Sequence, residues 1–331
     1  MRPGDEQVRR PRGASTGDEA RRRARTAPRR SREDATVRDV DIDVDTIVAP
    51  VLEWFTDAAR DLPWRAPDRT PWGVLVSEVM LQQTPVVRVE PVWRAWLERW
   101  PTPAALAAAP TADVLRAWGT LGYPRRALRL AECARAVVDR HDGELPTTEP
   151  ELRALPGIGA YTAAAVVAFA HGRRAVVLDT NVRRVLARTL AGEALPPPHL
   201  TVAEQARADA VWPADDARAV AWSAAAMELG ALVCTARAPR CAVCPVAASC
   251  AWRAAGYPPP STAPRTQAWA GTDRQARGRI MAALRDGVGH LDAGHLAAVW
   301  PQDADQRERA ILGLVDDGLV VRVGDGVGLP G

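Results

Sequence analysis

The chain has 331 residues, of which 47% are hydrophobic and 25% are charged, so it is long enough to bury a full core without disulfides. No apolar run approaches the length of a membrane span, and the residues after Met1 are polar and arginine-rich. We therefore expect a cytoplasmic protein with reduced thiols and no membrane partner. All 43 basic residues are arginine, which excludes any chemistry that needs a lysine amine.

The first part of the chain concentrates the positive charge. Residues 1–36 contain eleven Arg against six Asp and Glu, a net charge of +5, which leaves −2 for the remainder of a chain whose total is +3. Residues 1–45 have scarcely an apolar cluster, so we expect a disordered basic tail. Such an arm suits contact with nucleic-acid phosphates, although charge alone favours a solvated tail without a partner.

The rest of the chain divides by its hydrophobic pattern. From residue 46 to 256, apolar residues recur at spacings of three and four, which predicts an all-α domain. Residues 257–271 begin with three consecutive prolines after a tyrosine and predict a linker. Residues 272–331 predict three short helices followed by two β-rich runs around a Gly-Asp-Gly turn, the order of a small winged-helix-like module. Such modules bind DNA or other proteins, and the sequence leaves both open.

Four of the five cysteines lie close together near the end of the helical domain. They are separated by six, two and five residues: Cys234, Cys241, Cys244 and Cys250. Structural zinc favours two Cys-x-x-Cys pairs, and only one is present, so the spacing favours a 4Fe-4S cluster over zinc, with unligated thiols as a third reading. Arg237 and Arg240 lie between these cysteines. Cys133 stands apart in an amphipathic segment, where we expect a small buried side chain.

A glycine-rich turn precedes a strongly apolar helix at residues 155–170, LPGIGAYTAAAVVAFA. Gly157 and Gly159 allow backbone amides to point outward at the start of that helix, where amides and the helix dipole can bind an anion. A plain tight turn between two helices is equally compatible with the residues.

Two carboxylates are candidates for acid and base chemistry. Asp179 precedes the helical pattern NVRRVLAR, where a helix N-cap and a catalytic group fit the residues equally well. Glu78 lies in WGVLVSEVMLQQT, with apolar residues at helical spacing around it. We expect a partly desolvated carboxyl, whose raised pKa lets it donate a proton near neutral pH. A glutamate on an exposed helix stripe is the plainer interpretation.

Together, SEVMLQQT, the LPGIG turn, the aspartate after it and the cysteine loop resemble the helix-hairpin-helix DNA glycosylases, the endonuclease III and adenine glycosylase group. The resemblance covers roughly residues 46–256. It implies an all-α, two-lobed helix-hairpin-helix DNA glycosylase fold with a 4Fe-4S cluster loop at 234–250. It also implies double-stranded DNA containing mispaired adenine as the partner of a monomeric, nucleoid-associated protein of bacterial type.

The resemblance also implies the reaction and the residues that perform it. Glu78, which endonuclease III lacks, would protonate adenine and activate water, and Asp179 would stabilise the sugar cation. Trp64 and Arg65 would line the base pocket, Tyr161 would lie beside Asp179, and Asn181 would lie near the sugar or water. Gln83 on a helix and Tyr123 in a loop would probe the base opposite the adenine. Gly157 and Gly159 would contact a phosphate, Arg237 and Arg240 would contact phosphates, and the four clustered cysteines would bind the metal.

Two departures from the family pattern stand out. Pro124 replaces an aromatic residue that commonly follows Leu-Gly-Tyr, and the last sixty residues are short for the domain that reads 8-oxoguanine. We expect removal of adenine mispaired with 8-oxoguanine or guanine. A monofunctional glycosylase acting on thymine or uracil opposite guanine, and a non-catalytic iron-sulfur DNA-binding protein, are the alternatives.

The absence of lysine predicts a glycosylase without strong lyase activity. In lyase-active relatives a lysine after the hairpin glycines attacks the sugar as an amine, and this chain has Tyr161 there. Borohydride added during turnover should therefore trap no protein–DNA adduct on a denaturing gel, whereas a lysine-bearing lyase in the same assay should be trapped. Robust trapping of this chain would contradict the prediction and indicate its N-terminal amine as the nucleophile.

Overall fold

The computed structural model describes residues 44–260, 269–287 and 290–331. Residues 1–43 of the predicted tail 1–45 and residues 261–268 of the predicted linker 257–271 lie outside these residues, whereas Val44 and Asp45 already belong to a helix. Within them the chain is helical apart from a small sheet near the C-terminus, which confirms the expected α architecture. None of the described helices combines the length and the apolar composition needed to span a bilayer.

In residues 44–260 the structure has twelve α-helices. They are α1 (Val44–Ala58), α2 (Pro71–Leu81), α3 (Val86–Arg99), α4 (Pro103–Ala107), α5 (Thr111–Trp118), α6 (Arg125–His141), α7 (Glu149–Arg153), α8 (Ala160–Phe169), α9 (Thr180–Leu186), α10 (Val202–Val211), α11 (Asp216–Leu232) and α12 (Ala251–Ala254). Short turns of 3-10 helix lie at Pro63–Arg65 and Cys241–Val243, and a π-helical turn at Ala187–Ala191 extends α9.

Local sequence signals set where several of these helices begin. Thr70 caps α2 by accepting a hydrogen bond from the Gly73 amide, and a proline follows at the first helical position. Thr201 and Glu204 form a reciprocal capping box at the start of α10. These caps satisfy amides that have no partner within the helix, so the helix starts follow from the sequence.

Helix α2 runs through the centre of the domain. Its residues from Trp72 to Met80 are buried, because it packs against α3, α6 and α8 on different sides. A second group of helices comprises α1, α9 and α11, and α11 also contacts α8. The two groups form the two lobes of the fold. The core tryptophans Trp96, Trp118 and Trp222 are fully buried, as their apolar helical patterns predict.

The C-terminal part contains three helices and a three-stranded antiparallel sheet. In chain order its elements are α13 (Asp273–Asp286), β1 (His290–Leu291), α14 (Ala293–Val299), α15 (Ala304–Asp316), β2 (Val321–Val323) and β3 (Gly326–Gly328), and the strands lie in the order β1-β3-β2. Helix α13 packs on α15 and also contacts α5 of the preceding helices. All described residues belong to one compact unit.

Strand β1 was not predicted from the sequence, because the pattern before the two β-rich runs indicated only helices. Asp292 caps α14 instead by accepting a hydrogen bond from the His295 amide, so the helix begins at Ala293 and Leu291 pairs with Val327. A Cβ at Gly326 would lie 1.9 Å from the Leu291 carbonyl oxygen. Only glycine lets the two strands approach so closely, and a helical pattern does not reveal that contact.

Gly230 sets the distance between α11 and the start of α9. A Cβ at Gly230 would lie 2.6 Å from Asn181 Cβ and 2.9 Å from the Asn181 carbonyl oxygen. We expect Gly230→Ala to lower the free energy of unfolding in urea by ~1–3 kcal/mol, because overpacking outweighs the better helix propensity of alanine. Gly278→Ala in exposed α13 is the control and should raise it by ~0.5–1 kcal/mol. Equal stability of Gly230→Ala and the parent chain would contradict this account.

Candidate active site

A cavity of about 950 Å³ opens between the two lobes. Helix α2 supplies Glu78, helix α8 supplies Tyr161, and the start of α9 supplies Asp179 and Asn181. Glu228 of α11 lines the same cavity. The structure thus brings together the two candidate carboxylates, which are separated by about a hundred residues in the chain, and leaves space beside them for a ligand.

Glu78 is the buried acid of this cavity, with 4% of its surface exposed. The Tyr161 hydroxyl donates a hydrogen bond of 2.6 Å to Glu78 Oε2. Burial raises the pKa of Glu78 to about 7, and the negative charge of Asp179 adds to this, while the Tyr161 hydrogen bond and Arg65 act in the opposite direction. A carboxyl with this pKa holds its proton near neutral pH and can still release it.

Asp179 is both a helix cap and a member of the cavity. Its Oδ1 accepts a hydrogen bond of 2.6 Å from the Val182 amide at the start of α9, and its Oδ2 accepts one of 2.8 Å from Asn181 Nδ2. Burial raises the pKa of Asp179, and these two hydrogen bonds and the Arg184 charge oppose that effect by favouring the carboxylate. The helix cap that the sequence left open is therefore present, and the catalytic role of Asp179 stays a prediction.

Glu228 belongs to the cavity and was missed in the sequence. Arg60 donates to its Oε1 through Nε at 2.6 Å, and Arg65 donates to its Oε2 through Nη2 at 3.0 Å. Although burial raises the pKa of Glu228, these arginines hold it below its ordinary value, so the group is an anion. A single acid in the apolar helix AWSAAAMELGAL was the available signal. Arg65 Nη1 is buried and has no hydrogen-bond partner among the described residues.

Trp64 and Arg65 lie where the sequence placed them, at the wall of the cavity. The Trp64 ring is buried and meets Trp93 edge to face, with 5.7 Å between ring centroids. Trp93 in turn donates from its indole nitrogen to the Gly73 carbonyl at 2.8 Å. These contacts hold the Trp64 ring in place at the wall.

Gln83 lies after a helix and not on one, contrary to the sequence prediction. Helix α2 ends at Leu81, and Gln83 has a φ of +59°. Tyr123 has a φ of +48°, which is also unusual for a residue with a side chain. The sequence pattern does not show that the helix ends at Leu81. Gln82 and Gln83 are good helix formers, and the first helix-breaking residue is Pro85, two residues after Gln83.

Arg126 ties the two segments that carry Gln83 and Tyr123. Its Nη1 donates to the carbonyl of Gln82 at 2.6 Å, and its Nη2 donates to Thr84 Oγ1 at 3.1 Å and to the Gly122 carbonyl at 3.0 Å. Burial lowers the pKa of Arg126 to about 10. Pro124, the departure from the family pattern, lies immediately before α6 with helical dihedral angles, so it starts that helix without interrupting it.

The glycine turn before α8 has the geometry expected of it. Gly157 has a φ of +78°, and a Cβ there would lie 2.9 Å from Arg129 Cβ, so both conformation and space require glycine. Gly159 precedes α8, and no side chain caps the first amides of that helix. Those amides are available for a ligand.

The four clustered cysteines line one small cavity beside α9 and α11. All are free thiols, and no set of three or more ligating side chains among the described residues already stands in metal-binding geometry. Buried Arg188 donates to Cys234 Sγ at 3.4 Å and to the Thr235 carbonyl at 2.8 Å. The donor set fits a cluster that binds four thiolates, because the sulfurs face one cavity and an arginine offsets their charge.

Arg184 links the cysteine loop to the active-site cavity. Its Nε donates to the Cys234 carbonyl at 2.8 Å, and its Nη2 donates to Asn181 Oδ1 at 2.8 Å. Within the loop, Arg237 is exposed, whereas Arg240 Nε donates to the Leu232 carbonyl at 3.0 Å and thereby closes the end of α11. Cys133 is buried outside the loop, as expected, and burial raises its pKa to about 12.

Residues 76–207 match the family described as HhH-GPD superfamily base excision DNA repair protein. The adenine DNA glycosylase of Mycolicibacterium smegmatis is 51% identical over 281 residues, 84% of this chain and 94% of that protein. The adenine DNA glycosylase of Mycobacterium tuberculosis (strain CDC 1551 / Oshkosh) is 50% identical over 283 residues, 85% of this chain and 92% of that protein. A solved thermostable thymine-DNA glycosylase has a TM-score of 0.58 at 25% identity and covers 64% of this chain and 97% of its own.

The fold and the paired carboxylates define the class, a base excision DNA repair protein of the HhH-GPD superfamily. Within that superfamily, the chain belongs to the adenine DNA glycosylase family.

The raised pKa of Glu78 predicts how its removal changes stability with pH. A carboxyl whose pKa rises from 4.5 to about 7 on folding makes the protein less stable as pH increases through this range, because only the unfolded chain releases its proton easily. The difference in free energy of unfolding between Glu78→Gln and the parent should therefore shift by ~3 kcal/mol in favour of the variant as the pH is raised from 4.5 to 8.

The matched control is Glu228→Gln, which removes the other buried glutamate of the cavity. It should destabilise the protein at neutral pH, because Arg60 and Arg65 then lose their anionic partner. Urea unfolding at several pH values measures both variants. A pH-independent difference between Glu78→Gln and the parent would show that Glu78 keeps an ordinary pKa.

Proposed function

We propose that the protein hydrolyses the N-glycosidic bond of adenine mispaired with 8-oxoguanine or guanine in double-stranded DNA and leaves an abasic site. The observation that carries this proposal is the cavity that Glu78 and Asp179 share, in which the pKa of Glu78 is raised to about 7 and Asp179 accepts hydrogen bonds from the Val182 amide and Asn181. All of the residues involved come from one chain, which supports action as a monomer on chromosomal DNA.

Glu78 supplies the proton that adenine needs as a leaving group. With its pKa near 7, it donates a proton to a ring nitrogen of the base, the C1′–N bond breaks with its electron pair going to adenine, and a positive charge remains on the sugar. The resulting Glu78 carboxylate then accepts a proton from the water that adds to C1′. The Tyr161 hydroxyl, 2.6 Å away, stabilises that carboxylate between the two steps.

Asp179 has a different role, which is to stabilise the positive charge on the sugar. Its carboxylate, held by the Val182 amide and by Asn181, is an acceptor fixed before the reaction begins, so it stabilises the sugar cation without reorganising. Tyr161 provides no amine for attack on the sugar, and the chain has no lysine, so water is the nucleophile.

The pocket chemistry is compatible with adenine. Adenine presents ring-nitrogen acceptors, and the protonated Glu78 carboxyl can donate to one of them. Glu228 is fully buried and paired with Arg60 and Arg65, so it holds the cavity wall and is not itself a contact of the base. Trp64 offers a flat apolar wall. The base reaches this cavity only when it leaves the double helix, and Gln83 and Tyr123, on strained backbone next to the cavity, are suited to fill the space it leaves.

The turn at Gly157 and Gly159 is suited to bind the DNA backbone, and the cysteine loop stabilises the fold. The uncapped amides of α8 are suited to a backbone phosphate. We infer that Cys234, Cys241, Cys244 and Cys250 bind a 4Fe-4S cluster, which when bound braces the loop and takes no part in cleavage of the glycosidic bond. Arg237, exposed on that loop, is suited to contact a phosphate.

Excision assays test the proposal. Duplexes with adenine opposite 8-oxoguanine, guanine, cytosine or thymine, and duplexes with thymine or uracil opposite guanine, should be compared under single-turnover conditions. We expect rapid release of adenine opposite 8-oxoguanine and guanine. Preferred release of thymine or uracil would instead make the protein a pyrimidine mismatch glycosylase like the thymine-DNA glycosylase that it resembles in fold.

Asp179→Asn separates an enzyme from a non-catalytic DNA-binding protein. Asparagine can still accept the Val182 amide hydrogen bond, so α9 stays capped, but the negative charge is lost. The single-turnover rate should fall by at least about a hundredfold, while the dissociation constant for the duplex changes little. Unchanged excision would remove Asp179 from the reaction.

A further inference from the structure

Arg183 lies in helix α9, one turn after Asp179. Its amide donates to the Asp179 carbonyl at 2.9 Å, the first hydrogen bond of the helix, so the two side chains leave the same helix face. Both residues line the active-site cavity. The proposed reaction gives Arg183 no role, although it lies next to the carboxylate that would face the deoxyribose.

The Arg183 side chain is fixed by two partners. Its Nε donates to Glu204 Oε1 at 3.0 Å, and its Nη2 donates to Glu204 Oε2 at 2.9 Å and to the Pro197 carbonyl at 2.8 Å. Only 13% of the Arg183 side chain and 8% of the Glu204 side chain are exposed. Glu204 is held in turn by its capping box with Thr201. The guanidinium therefore loses little conformational freedom when it binds a ligand.

One guanidinium nitrogen of Arg183 remains available. Nη1 donates to no acceptor among the residues that the structure describes, and it is not one of their buried polar atoms without a partner, so it reaches solvent. Other arginines line the same cavity, but Arg60 and Arg65 pair with Glu228 of α11. Among the described arginines of this cavity, Arg183 alone comes from the helix that Asp179 caps.

The reacting nucleotide has a phosphate on each side of its sugar. When C1′ lies beside Asp179, one of these phosphates is within reach of a long side chain one helical turn away, where Cβ atoms are about 5–6 Å apart. Guanidinium N–H groups match phosphate oxygens in geometry and in charge. The free Nη1 of Arg183 is therefore suited to a phosphate of this nucleotide.

The pairing with Glu204 suits the same site for a second reason. An arginine without an anion next to Asp179 would oppose the positive charge that develops on the sugar, because like charges repel strongly where water is largely excluded. The Glu204 carboxylate offsets the charge of Arg183. Arg183 then presents N–H donors to a phosphate while adding little positive potential at C1′.

We propose that Arg183 binds one of the two phosphates that flank the extruded deoxyadenosine and thereby holds its sugar beside Asp179, while Glu204 offsets the charge of Arg183. The inference rests on the proposed function and adds a DNA contact to it. Phosphate contacts position the nucleic acid and carry no base identity. Arg183 therefore contributes to the placement of the sugar and not to the choice of adenine.

Duplexes with one uncharged methylphosphonate, either 5′ or 3′ to the target adenosine, test the contact. Dissociation constants are measured with the full chain carrying Glu78→Gln, so that adenine is not removed. One of the two methylphosphonates should raise the dissociation constant about tenfold. After Arg183→Gln is added, the same methylphosphonate should change it by less than about twofold, because the contact is already lost.

The matched control is Arg99→Gln. Arg99 pairs with Asp113 at 2.6 Å and does not line the active-site cavity. In this control the methylphosphonate should keep its tenfold effect. Urea unfolding of each variant checks that the fold is retained.

Glu204→Gln tests the part assigned to the ion pair. Glutamine can keep the capping box of α10, but the charge of Arg183 is no longer offset. The single-turnover rate of adenine release should fall about tenfold, while duplex binding should be as tight as in the parent or tighter. A purely structural role for Glu204 would instead weaken binding along with the rate.

The proposal is wrong if Arg183→Gln leaves the methylphosphonate effect unchanged, or if neither methylphosphonate weakens binding when Arg183 is present. An unchanged excision rate in Glu204→Gln would contradict the role of the ion pair. Adenine excision by the parent chain is measured first. Its absence would refute the proposed function, whereas the methylphosphonate comparison reports on binding alone.

Discussion

The proposed chemistry depends on keeping two carboxyl groups largely out of water in a single cavity. Burial favours the protonated form of Glu78, and the Tyr161 hydroxyl limits how far its pKa rises, to about 7. At Asp179, a helix amide and the Asn181 side chain favour the anion against the same burial. The two carboxyl groups share a cavity but differ in their hydrogen-bond donors and in their exposure, since Glu78 is buried and Asp179 is only partly buried. The folded state tolerates this arrangement at a cost in stability.

Arginine side chains make the hydrogen bonds that connect separate segments around this cavity. A guanidinium presents five donors in a fixed plane, which lets Arg126 bind carbonyls from the end of α2 and from the Tyr123 loop together. Arg184 in the same way joins Asn181 to the backbone of Cys234. Lysine, with one flexible ammonium, could not span such segments. The absence of lysine therefore leaves no lysine amine for lyase chemistry but does not affect these bridges. Arg184 alone among them connects the cysteine loop to the active-site cavity.

The sequence predicted the parts of the site that short local patterns encode. Asp179 precedes a helical pattern, and the glycines at 157 and 159 sit at a turn, so their structural settings could be read directly. Glu228 could not be found this way, because its role depends on Arg60 and Arg65, more than 160 residues away in the chain. Gln83 was misplaced on a helix because a left-handed residue after the helix end leaves no compositional signal unless it is glycine. The same limit hid β1, which depends on a contact between Leu291 and Gly326.

The C-terminal part is joined to the helical domain through the loop that borders the active-site cavity. Helix α13 contacts α5, and Arg274 Nη2 donates to the Tyr123 hydroxyl, with its guanidinium carbon 5.0 Å from the Tyr123 ring centroid. Asp317, which follows α15, pairs with Arg125 of α6 and with Arg277 of α13, so one carboxylate links the two parts. The Tyr123 loop is therefore held from both sides, because Arg126 of the helical domain binds the neighbouring Gly122 carbonyl and Arg274 of the C-terminal part binds the Tyr123 hydroxyl.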